Sequence, residues 1–167
     1  RMDAAGDRPS GGTRMFTAMK KGADLLLEAN KGNKYPNAVL RLIVISDGDD
    51  GCGHAEQAQV SNFLLQNKIR VDAIIVSNEI ARELVAISRF SGGFATFPRT
   101  VEEGLELFNK EEFFNVNLRE FGSFRQPNVT SQELDRLPRL TVNDLDKEMK
   151  IKTSEYVDRN KLVCSPL

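Results

Sequence analysis

The stretch Leu40-Arg41-Leu42-Ile43-Val44-Ile45-Ser46-Asp47-Gly48-Asp49-Asp50-Gly51-Cys52-Gly53-His54 decides the fold. Its first half, Leu40 to Ser46, is β-branched and apolar except for Arg41. It stops at Asp47-Gly48, a turn signal. A near-continuous apolar run is what a strand buried on both faces of a parallel sheet requires. The second half is acidic and rich in glycine. A strand that ends in such a loop belongs to an architecture in which loops at strand ends carry the function.

Working outward, Phe16, Met19, Ala23 and Leu26 recur every three or four residues and predict a helix from about Thr13 to Asn30. Asn30 to Asn37, rich in Lys, Asn, Gly and Pro, is a break. Beyond the loop, Val60, Phe63 and Leu64 mark a second helix, Ile69 to Val76 a second β-branched strand, and Ile80, Leu84 and Ile87 a third helix. Ser91-Gly92-Gly93 stops that helix, because glycine tolerates the left-handed conformation. Phe94 to Phe97 is a short strand ended by Pro98. Thr100 and Glu103 form a capping box for a last helix, with Val101, Leu105 and Phe108 as its expected buried face. Strands alternating with helices imply an α/β fold, a Rossmann-like parallel sheet with helices on both faces. Ligands of such sheets bind beyond the carboxyl ends of the strands, which places the site at Asp47 to His54.

Composition agrees with a globular chain and excludes other classes. Of 167 residues, 40% are hydrophobic and 28% charged, and 23 Lys and Arg stand against 24 Asp and Glu. That balance gives no basic field for nucleic acid and no polybasic arm for a membrane surface. No apolar run approaches the ~18–20 residues that span a bilayer. Arg1 to Thr13 is polar, unlike a signal peptide, and Cys52 and Cys164 are too few for a disulfide scaffold. A reduced, cytoplasmic setting is the expectation. Residues 1–114 read as the domain, and 115–167 as a linker or extension that need not be fully ordered. In that extension Val142, Leu145 and Met149 could line a short helix begun by Thr141, and Phe113, Phe114, Phe121 and Phe124 cluster around its start.

Two elements could carry chemistry. Asp47, Asp49, Asp50 and Glu56 lie in a stretch free of Lys and Arg from Arg41 to Lys68. Carboxylates at a strand end repel one another unless a cation or hydrogen-bond donors offset the charge. Hard oxygen ligands favour magnesium, calcium or manganese over zinc. The same composition also makes a plain solvated turn. The second element is Ser10-Gly11-Gly12-Thr13, directly before the first helix. There Thr13 is either an N-cap or a ligand, with glycine letting the backbone approach closely. His54 and Cys52 lack the further pair a zinc site needs, so an exposed loop histidine is the simpler reading. Asn128-Val129-Thr130 matches a glycosylation acceptor but reads as a turn.

Taken together, Gly12-Thr13, a helix, an apolar strand, Ser46-Asp47-Gly48, and later Ser91-Gly92-Gly93-Phe94 resemble the von Willebrand factor type A family over roughly residues 8–114. The resemblance implies a metal-ion-dependent adhesion site. Thr13 would be the second loop's ligand and Asp47 the third's, with Gly11, Gly12, Gly48, Asp49 and Asp50 beside them. The family's first loop, Asp-x-Ser-x-Ser, occurs nowhere in this chain. The three strands and helix that would carry it are expected ahead of Gly11. The resemblance therefore implies magnesium (or manganese or calcium) binding only where that segment is supplied, and a protein partner offering an acidic residue to the metal. It implies no catalysis, no nucleic acid and no membrane insertion. It also implies that Leu40–Ser46 has an unpaired edge. The ending of the domain is similar to intracellular members, some of which sit beside ubiquitin-pathway domains. Two other readings remain. Asp47-Gly48-Asp49 also fits a magnesium-dependent phosphatase of haloacid-dehalogenase-like type, although Gly51 replaces its usual Thr or Val. The chain could also be a nonfunctional truncated fragment.

Overall fold

The computed structural model describes residues 13–47, 50–76, 81–105, 125–139 and 143–144. In chain order these give α1 (Met15–Ala29), a 3-10 turn (Lys31–Asn33), β1 (Arg41–Ser46), α2 (His54–Gln66), β2 (Arg70–Ile75), α3 (Arg82–Phe90) and β3 (Ala95–Thr96). Helical residues 101–105 and a short α4 (Ser131–Asp135) follow. The strands form one parallel sheet in the order β1-β2-β3. Ile43 stands opposite Asp72, and Ile45 opposite Ile74. Parallel neighbours need a crossover, and α2 and α3 supply it. The fold is thus mixed α/β with a parallel sheet, and elements seen from hydrophobic spacing end within about two residues of where the spacing put them.

Val71, Ala73 and Ile75 alternate along β2 and so share one face of the sheet. They join Phe16, Met19 and Ala23 of α1, Leu64 and Leu65 of α2, and Leu84, Val85 and Ile87 of α3 in one core. Burying each large side chain contributes roughly 1.5–3 kcal/mol. The helices expected on both faces lie, among the described residues, on this one. β2 is buried along its whole length, its charged Arg70 and Asp72 included. β1 is different: Ile43 and Ile45, on the face opposite Leu42 and Val44, are 45% and 56% exposed.

The expected buried face of the last helix is corrected in its described part. The capping box forms, with Glu103 N donating to Thr100 Oγ1 at 3.2 Å and Arg99 N to the Glu103 carboxylate at 2.7 Å. Yet Val101 and Leu105 are 75% and 59% exposed. Spacing of three or four residues defines a stripe on a helix but not what that stripe faces. Phe108 and Ile80 lie outside the described residues. So do Phe113, Phe114, Phe121 and Phe124, and Thr141, Val142, Leu145 and Met149 of the tail reading.

Residues 125–139, inside the stretch read as linker or extension, pack on the domain. Val129 and Leu134 belong to the same core. The Asn62 side chain donates to Val129 O and accepts from Val129 N, each at 2.8 Å. Arg125 grips the Glu133 carboxylate with two nitrogens at 2.6 and 3.1 Å and lies 4.4 Å from the Phe90 ring centre. Thr130 caps α4 by accepting from Glu133 N.

Just beyond the C-terminus of α3, Gly93 is set by close approach rather than by its φ. A Cβ there would lie 1.9 Å from Val71 O. The adjacent Phe94 N donates to Asp72 at 2.7 Å, and Asp72, buried on β2, also pairs with Arg41 of β1.

Candidate functional site

Thr13 and Asp47 are both exposed and line one open groove of about 710 Å³ along β1 and α1. Met15, Ala18, Met19 and Gly22 of α1 form one wall, and β1 from Leu42 to Ser46 forms the other. Asp47 follows the last residue of β1, where a parallel sheet places its ligands. Gly11, Gly12, Gly48 and Asp49 lie outside the described residues.

Thr13 does not cap α1. The N-cap is Arg14, which makes no side-chain cap bond. The first turn is satisfied from a distance. The Asp50 carboxylate accepts from Met15 N at 3.0 Å, Phe16 N at 2.9 Å and Cys52 N at 3.1 Å. A helix N-terminus leaves its first N–H groups without partners and carries partial positive charge, so a carboxylate is the fitting acceptor. Gly51 N donates to Thr13 O at 2.6 Å and closes the junction. Of the two offsets the sequence left open for the loop's charge, a cation or hydrogen-bond donors, Asp50 has the second: its charge is offset by amides.

The carboxylate of Glu56, in the first turn of α2, is also engaged. Thr17 Oγ1 donates to Glu56 at 2.7 Å, and Arg14 stands 3.4 Å away. The Thr17 bond, helped by Cys52 and Arg14, holds the Glu56 carboxyl below its ordinary 4.5. Cys52 is buried, with its Sγ 3.4 Å from Thr17 Oγ1. His54, read as a loop residue, is the first residue of α2. Its ring lies between Asp135, on Nδ1, and Glu83, 3.5 Å from Nε2.

The geometry therefore separates the acidic residues into two sets. Asp50 ties the loop, and Glu56 ties α2, to α1, whereas Asp47 lines the groove beside Thr13. Among the described residues no three His, Cys, Asp or Glu side chains converge to hold a metal ion. Magnesium takes six oxygens in near-octahedral array. Thr13 and Asp47 offer two side chains, and Asp50 is spent on amides, so the described residues do not by themselves fit a resident ion. Among the described residues no helix is long and apolar enough to cross a membrane.

The chain matches no family model, no curated protein and no solved structure.

Proposed function

We propose that this chain is a protein-interaction module of von Willebrand factor type A kind, comprising the C-terminal two-thirds of such a domain. On this reading it binds a protein partner through the loops at the carboxyl end of β1. The observation that carries the reading is the placement of Thr13 and Asp47. They flank one groove at the strand end, although they lie 34 positions apart in a sequence that resembles the family in the same order. Both are exposed, as groups offered to a ligand must be, while Asp50 and Glu56 are committed to holding the loop. The Rossmann-like assignment of the parallel sheet belongs to the same proposal, as does a cytoplasmic setting.

A metal bridge on this reading needs ligands beyond Thr13 and Asp47, which Asp-x-Ser-x-Ser would provide. Titration of magnesium into the chain alone is expected to show no site tighter than millimolar; a tight one-to-one site contradicts the two-ligand assignment. The function itself is tested by joining an Asp-x-Ser-x-Ser strand segment to the N-terminus and measuring partner capture with and without EDTA. Capture that ignores both chelation and Thr13→Ala refutes the metal-bridged version.

A further inference from the structure

Residues 125–139 are held on the domain at two places, and only one of them changes charge near neutral pH. At the front of the segment the Asn62 amide grips Val129, Arg125 pairs with Glu133, and Val129 and Leu134 lie in the core. At its far end Arg82 Nη1 donates to Leu137 O at 3.1 Å, and Asp135 meets the ring of His54. His54 is the one histidine of the chain.

Three elements converge on that ring. His54 opens α2, Glu83 lies in the first turn of α3, and Asp135 is the last residue of α4. Asp135 sits on Nδ1, and Glu83 is 3.5 Å from Nε2. A neutral imidazole has one N–H and one lone pair, whereas the imidazolium has two N–H groups. With a carboxylate at each nitrogen, the neutral ring must turn its lone pair on one of them. Only the charged ring donates to both. Among the described residues the other charges around this junction are occupied or point outward. Glu56 of α2 bonds Thr17 and Arg14, Glu133 is held by Arg125, Arg82 binds the Leu137 carbonyl, and Arg136, next to Asp135, is exposed.

We propose that His54 is a pH-dependent clasp. As imidazolium it ties the end of residues 125–139 to α2 and α3; on losing its proton it loosens that end while the front of the segment stays docked. Histidine is the side chain that ordinarily changes charge between about pH 5 and 8. The sign follows from the donors: the clasp is closed in mild acid and opens as the pH rises and the ring becomes neutral. It acts independently of Thr13 and Asp47.

Hydrogen exchange of the whole chain tests this. The amides of Leu134, Arg136 and Leu137 bond to the carbonyls of Thr130, Glu133 and Leu134 and so report on the segment. Corrected for intrinsic rates and taken relative to Ala73 of β2, their protection is expected to fall about two- to fivefold from about pH 5.5 to 8, the range that an exposed ion pair supplies. His54→Gln is expected to abolish the fall. Asp135→Asn, at an exposed position, serves should His54→Gln fail to fold, because an amide pairs with either form of the ring. Protection that stays constant or rises with pH in the unaltered chain, or that falls as much in a folded variant as in the unaltered chain, overturns the proposal.

Discussion

Asp50 shows how a residue visible in the sequence can keep its role open. Its acidity and its place at a strand end called for a cation or hydrogen-bond donors. Its actual partners, the amides of Met15 and Phe16, lie 35 and 34 residues away in the chain, beyond what local spacing reveals. Asp50→Ala is expected to cost about 1–2 kcal/mol, the scale of a lost helix cap, and Asp50→Asn less, because it keeps an acceptor. Urea unfolding midpoints measure both. Glu56 carries a pH signature. Its carboxyl is lowered in the folded state, so its contribution is complete above the unfolded value and is lost as the pH falls through the lowered folded one. Thr17→Val, which removes the donor chiefly responsible, should therefore destabilise at neutral pH and much less in acid; an equal loss at both would contradict the assignment. Gly93→Ala forces a Cβ onto Val71 O and should cost about 3 kcal/mol or more.

At the scale of elements, long periodic segments were legible and short ones were not. α1, α2 and α3 each repeat an apolar stripe, and β2 is apolar and β-branched apart from Arg70 and Asp72, so the hydrophobic pattern located them. α4 has five residues and one buried side chain, Leu134, which leaves no period to detect. Its position depends on Asn62, Arg125 and Phe90, contacts made across the fold. Leu134→Ala is expected to cost about 2–5 kcal/mol, a core-sized loss in thermal or denaturant unfolding. A loss near zero would mean that residues 125–139 do not share the cooperative core.

For the whole molecule, the alternation of helices and strands was enough to indicate an α/β chain with a parallel sheet, because each strand type has its own apolar pattern. Which face each helix covers was not readable, since periodicity fixes a stripe without its neighbour. Candidate-site residues divided in the same way. Motif order singled out Thr13 and Asp47, and both line the groove, but whether Asp50 was spent or available depended on the packing of α1 against the loop. The central claim is that Thr13 and Asp47 are two ligands of a site that needs more. The most direct measurement is magnesium titration calorimetry on the chain alone and on the chain carrying an Asp-x-Ser-x-Ser strand segment at its N-terminus. The account predicts no site tighter than millimolar in the first, and in the second a one-to-one site lost with either Thr13→Ala or Asp47→Ala. A tight site in the chain alone, or one in the extended chain that ignores both substitutions, would contradict it.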